Sequence, residues 1–101
     1  MNITITEEEK GRVVVALSGD LDNSSSSEAE RAIAPLLERD DCDIVIDGEE
    51  LDYISSSGLR IMLTIYKSTR KSGHHAIVKN LNEDVEDVFR IGGFLQLFEK
   101  E

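Results

Sequence analysis

Three consecutive hydroxyls, Ser55, Ser56 and Ser57, lie between the apolar pair Tyr53 and Ile54 and the motif glycine Gly58, with a strongly apolar run from Leu59 onward. In that setting a hydroxyl could be a nucleophile, a phosphate contact, a phosphate acceptor or a helix cap. A nucleophilic hydrolase needs a base and an orienting acid near the serine. The only histidines, His74 and His75, follow Gly73 at the far end of the helix expected after Leu59. At 1.5 Å per residue they are roughly 20 Å away, which argues against a triad. A phosphate-binding loop would carry more glycine and usually a lysine, whereas "SSSG" has one glycine and no adjacent lysine, so a bound nucleotide is weakly signalled. The adjacent histidines read as an exposed turn in preference to a metal pair. No catalytic residue, cofactor site or metal site is expected.

The elements that must position the serines follow from periodicity. Ile3 and Ile5 alternate with polar residues, Gly11 intervenes, and the β-branched run "RVVVALSG" follows, which predicts two strands in a hairpin. In "NSSSSEAERAIAPLLERDD" the apolar positions Ala29, Ala32, Ile33, Leu36 and Leu37 mark one helical face, with a kink expected at Pro35. The four-serine run 24 to 27 should supply an N-cap and a polar first turn there, with no catalytic role. "CDIVID" predicts a central strand covered on both faces. From Leu59 to Lys71 one helical face carries Leu59, Met62, Leu63 and Tyr66, basic residues occupy the last turns, and Gly73 stands as C-cap. "AIV" at 76 to 78 reads as a strand, "NEDVEDVFRIGG" as a short acidic helix ended by paired glycines, and "FLQLF" as a last short strand or docked tail. Alternating strands and helices predict an α/β class, a mixed β-sheet of four to five strands with helices packed on it, in one domain over 1–101.

The whole-chain properties describe one small domain. One hundred and one residues suffice to bury about two-thirds of the unfolded surface. The single Cys42 forms no internal disulfide and reads as a small buried thiol in a reducing compartment. The first ten residues show no basic region followed by an apolar stretch, and "VVVAL" is far too short to cross a bilayer, so a cytoplasmic location is expected. With 11 basic and 21 acidic residues the formal charge is −10, which repels nucleic acid and anionic lipid and favours basic protein partners.

On this map the three serines fall at the junction between the loop after "DIVID" and the helix starting near Leu59. One of them is expected as the cap of an unpaired backbone N–H. The same helix start tolerates an anion, so a hydroxyl there could accept a phosphate and become a switch.

Two segments carry a family resemblance. "VALSGDLDNSSSSEAERAI" (15 to 33) and "DIVIDGEELDYISSSGLRIML" (43 to 63) resemble the STAS domain family, in particular bacterial anti-sigma factor antagonists, and "GGFLQLF" is similar to the family's closing segment. The family's phosphoacceptor, two residues before the motif glycine, falls on Ser56. Asp22 matches the aspartate beside the phosphoacceptor on the partner-binding surface. The resemblance therefore implies phosphorylation at Ser56 and a partner-binding surface of Asp22, Asn23, Ser55, Ser57 and Gly58. The chain departs from the family at Ser55, usually aspartate, and at Arg60, where glycine is frequent. The implied partners are an anti-sigma factor serine kinase, which brings its own ATP and Mg²⁺, and a PP2C-type phosphatase. The rival expectations are a STAS module that senses a small ligand or nucleotide, and a scaffold subunit of a signalling assembly.

Overall fold

The computed structural model describes residues 1–9 and 11–101. In chain order the elements are β1 (Asn2–Glu9), β2 (Arg12–Leu21), α1 (Ser26–Leu37), β3 (Asp43–Ile54), α2 (Ser56–Ser72), β4 (Ala76–Lys79), α3 (Glu83–Ile91), a 3₁₀ turn (Phe94–Gln96) and β5 (Glu99–Lys100). The sheet order is β1-β2-β3-β4-β5, antiparallel between β1 and β2 and parallel thereafter. Each parallel step is made across a helix, as parallel pairing requires. The expected hairpin is β1 with β2, and Gly11 at φ +89° adopts a backbone conformation that suits glycine at its start.

Alternation along β2 sends Val13, Val15 and Leu17 to the inner face, each no more than 3 % exposed. Against them pack Ala29, Ile33 and Leu36 of α1, Ile61, Met62 and Ile65 of α2, and Val85 and Phe89 of α3, all in one cluster. Phe89 receives Phe94 and Phe98 edge-on, with ring centroids 6.0 and 6.1 Å away. Those contacts dock the closing segment, which is both of the expected things at once: a turn packed on the core and a two-residue strand.

The opposite face of the sheet contributes only a small cluster, Val14, Val45 and Ile77. Arg12 links the two edges of the sheet, bonding Glu8 of β1 at 2.9 Å and Glu101, just past β5, at 2.6 Å. Ile44, Val45 and Ile46 are each no more than 2 % exposed, so the strand is covered on both faces as expected, although helices cover only one.

Three expectations are corrected in detail. β3 does not stop at "DIVID" but runs to Ile54, so the stretch read as a loop is strand. It escapes notice because Leu51 and Ile54, both buried, are three residues apart, and the pairing with β2 shifts register between Ala16 and Ser18 and again between Gly19 and Asp20. Such irregularities break the period of two on which strand reading rests. α2 starts at Ser56 instead of near Leu59, which puts Ser56 and Ser57 inside its first turn. α1 runs through the exposed Pro35 and ends two residues later, so the proline sits in the final turn. The C-cap reading of Gly73 holds, at φ +78° with its N–H bonded to the Arg70 and Thr69 carbonyls. Cys42 is buried, and burial pushes its thiol pKa up, which keeps it protonated and inert.

Candidate functional site

Leu21 and Ile54 are register partners at the carboxyl ends of the parallel strands β2 and β3. The Ser55 N–H continues the ladder by bonding the Leu21 carbonyl at 2.9 Å. Backbone pairing thus delivers Asp22 and Ser55 side by side at the edge where parallel α/β sheets present their sites. Asn23 and Ser57 close the arrangement, because the Ser57 hydroxyl, in the first turn of α2, donates to Asn23 Oδ1 in the turn after β2.

Gly58 lets α2 approach these strand ends. A Cβ on it would lie 2.6 Å from Ile54 Cγ1, 2.9 Å from Leu21 Cγ and 3.0 Å from the Leu21 carbonyl oxygen. Glycine is needed here for close approach, not for a left-handed backbone. Its N–H donates to Ser55 Oγ at 3.3 Å, which identifies Ser55 as the helix N-cap. Serine therefore does what aspartate does at that position. Ser56, the first helical residue, is exposed, and no acceptor or donor meets its hydroxyl among the described residues. The backbone N–H groups of Ser56 and Ser57 likewise belong to the first turn, where a helix has no internal acceptor for them.

Asp22 is held by a hydrogen-bond set that sequence reasoning missed. Its Oδ1 accepts from the Ser24 N–H at 2.9 Å, the Ser24 hydroxyl at 2.7 Å and the Ser25 N–H at 3.1 Å. The Ser24 hydroxyl above all holds the Asp22 carboxyl below the usual aspartate range; desolvation is the next influence and opposes it, and the backbone N–H groups of Ser24 and Ser25 add to the lowering. Ser25 occupies the N-cap position of α1 without capping it. Its hydroxyl instead donates to the Asp20 carbonyl at 2.7 Å and accepts from the Asp22 N–H at 3.0 Å. Of the serine run read as a helix cap, Ser24 and Ser25 thus clamp Asp22 instead. The signal that could have found it is Asp followed at the second and third positions by Ser, the pattern of an Asx turn.

All six residues singled out from the sequence, Asp22, Asn23 and Ser55 through Gly58, meet at this one end of the molecule. The histidines do not. His74 lies beyond the far end of α2, its Nδ1 3.1 Å from Asp43 Oδ1, and His75 neighbours Glu99. No cluster of three or more His, Cys, Asp or Glu suited to a metal is found among the described residues. No helix among them is long and apolar enough to cross a membrane. Among the described residues the site offers one unengaged hydroxyl at a helix start, at the same end of the sheet as the hydrogen-bonded Asp22 carboxylate.

Comparison with known proteins bears on this site. The chain is 32% identical to BtrV of Bordetella bronchiseptica over 88 residues, covering 87% of this chain and 76% of that protein. It is 29% identical to the anti-sigma F factor antagonist of Paenibacillus polymyxa over 99 residues, covering 96% and 85%. Two solved structures of the antagonist SpoIIAA share the fold. The unphosphorylated form aligns with a TM-score of 0.84 at 20% identity over 99% of this chain and 88% of that one; the phosphorylated form gives 0.78 at 19% over 99% and 91%. The profile described as STAS domain matches residues 4–101. With nearly every described element inside that match, the chain belongs to the STAS domain family.

Proposed function

We propose that this protein is an anti-sigma factor antagonist that switches by phosphorylation. Unphosphorylated, it presents Asp22, Asn23 and Ser55 through Gly58 to an anti-sigma factor that is also a serine kinase, and so frees a sigma factor. Phosphorylated on Ser56, it lets the partner go. The observation that carries this reading is the division of labour at the start of α2: Ser55 caps the helix, and Ser56 beside it is exposed with its hydroxyl unengaged. Modification of Ser56 therefore removes no structural hydrogen bond. Relatives named as anti-sigma factor antagonists support the partner class.

The chemistry divides between the two proteins. The kinase would transfer the γ-phosphoryl group of its ATP to Ser56 Oγ, forming the P–O bond to serine as the bond from the γ-phosphorus to the bridging oxygen breaks and ADP leaves, and the hydroxyl proton would pass to a base on the kinase. A phosphate at the first turn of α2 meets unpaired N–H groups and the positive end of the helix dipole, so the fold tolerates it. The complex experiences the opposite sign. Burying a dianion near the Asp22 carboxylate, against a partner surface fitted to a hydroxyl that offers it no counter-charge, costs on the order of 2 to 5 kcal/mol, which is a loss of roughly 30- to several thousand-fold in affinity. A PP2C-type phosphatase would reverse the modification.

The test is incubation with the cognate kinase and ATP, followed by mapping of the modified residue. One phosphate should appear, on Ser56, and Ser56→Ala should abolish labelling with the fold intact. Stoichiometric labelling of that variant at Ser55 or Ser57 would refute the assignment.

A further inference from the structure

Arg60 lies one turn beyond Ser56 on α2. Residues four apart on a helix are neighbours, about 5 to 6 Å between Cβ atoms, and helical side chains lean toward the N-terminus. Ser56 and Arg60 are therefore neighbours on one face of α2, and both are exposed. Among the described residues Arg12, Arg39 and Arg90 are ion-paired and Arg70 bonds the Tyr66 hydroxyl, whereas no acceptor meets the guanidinium of Arg60 or of Arg31, and of these two only Arg60 lies on α2. Glu30 of α1 lines the same groove as Arg60, yet no ion pair forms between them. α2 has no acid in its first turn, unlike α1 with Glu28 and α3 with Glu83, Asp84 and Glu86, so no side-chain anion offsets the positive end of this helix. An anion on Ser56 would supply one and form a favourable acid-before-base pair with Arg60 at i, i+4.

We propose that Arg60 is the phosphate-pairing residue of this chain: its guanidinium binds the phosphate carried by Ser56 and holds it against the first turn of α2. The proposal rests on Ser56 being the phosphoacceptor. Arginine suits the task because its planar fork donates two parallel N–H bonds to phosphate oxygens. A phosphate held in this way is fixed in one place on the surface that faces the partner and does not sweep through solvent. It also favours the dianion, the form that obstructs binding most.

The test installs phosphoserine at position 56 of the full chain during translation and follows its second ionisation by phosphorus NMR. The midpoint in the parent should lie about 0.2 to 0.4 pH units below that in Arg60→Gln, with the difference shrinking as salt is raised. The Arg60 Nε–H resonance should move with the same midpoint. In the unphosphorylated protein Arg60→Gln should leave the thermal midpoint unchanged or slightly raised, whereas a structural role for Arg60 would lower it in both forms. Equal phosphate midpoints in the parent and Arg60→Gln would overturn the proposal. Because the phosphate is installed without a kinase, that result leaves the kinase assignment standing, and labelling of another serine by the kinase leaves this titration standing.

Discussion

The sharpest test of how the site is built is Gly58→Ala. The added methyl would lie 2.6 Å from Ile54 Cγ1, 2.9 Å from Leu21 Cγ and 3.0 Å from the Leu21 carbonyl oxygen. The first two neighbours are side chains of fully packed residues, at 2 % and 0 % exposure, and the third is backbone already engaged by the Ser55 N–H. None can yield without moving a strand end, and forcing an extra methyl into such a space costs about 1 to 3 kcal/mol. Replacing glycine by alanine in a helix returns at most about 1 kcal/mol, and less in a first turn. The net destabilisation is about 1 to 2 kcal/mol. For a domain of this size that lowers the thermal midpoint by roughly 5 to 15 °C. Urea denaturation should show a lower midpoint with an unchanged slope, since the surface exposed on unfolding is the same. A variant as stable as the parent, or more stable, would refute the close-approach explanation of the motif glycine and leave only its helix propensity.

Four further outcomes follow from the geometry. Ser55→Ala should lose the N-cap bond to Gly58, about 1 kcal/mol and several degrees in thermal midpoint, while Ser56→Ala stays within about 2 °C of the parent; the reverse order would assign the cap to the wrong hydroxyl. Asp22 binds a proton less readily in the folded chain than in the unfolded one, so its contribution is complete above the ordinary aspartate value of about 3.9 and drains as pH falls through the lower folded value. Asp22→Asn should accordingly flatten the acid-side loss of stability, read as urea midpoint against pH, and an unchanged profile would remove the Ser24 and Ser25 clamp from the account. With a formal charge of −10, association with the partner should be steered, so the on-rate measured by stopped flow should fall markedly with salt while the off-rate changes less; a salt-insensitive on-rate would make the acidity a solubility feature. Phosphorylation of Ser56 should shift NMR resonances near Asp22 and the start of α2 alone, and widespread shifts through the sheet would replace a local block with a refolding mechanism.

The sequence and the structure agree most where a pattern is long and regular. The apolar face of α2 and its glycine stop are legible because a cap and a 3.6-residue period must coincide over several turns. The far half of β3 is not, because its buried residues Leu51 and Ile54 follow a register irregularity that no local pattern announces. At the site, chemistry alone narrowed the three serines to one cap and at least one free hydroxyl, and the family resemblance chose Ser56. The geometry engages two of them, Ser55 with Gly58 and Ser57 with Asn23, and leaves the Ser56 hydroxyl unengaged. The Asp22 clamp was hidden because Ser24 and Ser25 adjoin a helix, where a cap is the commoner reading of such residues, and only the folded loop shows them turned back toward the aspartate.

The pairing of Leu21 with Ile54 separates two kinds of information that are usually entangled. Where the proposed phosphoacceptor stands is set by buried or main-chain features: a strand ladder, two apolar side chains and the missing Cβ of Gly58. The exposed side chains around it, Asn23 and Arg60 among them, lie outside that ladder. On the proposed function, substitutions in the second set should redirect recognition while the hydroxyl keeps its place, so such a domain could be copied and retuned into insulated signalling lines. A change in the first set shifts every contact together. For anyone rewiring this module, orthogonality is to be sought at the rim, and the ladder left alone.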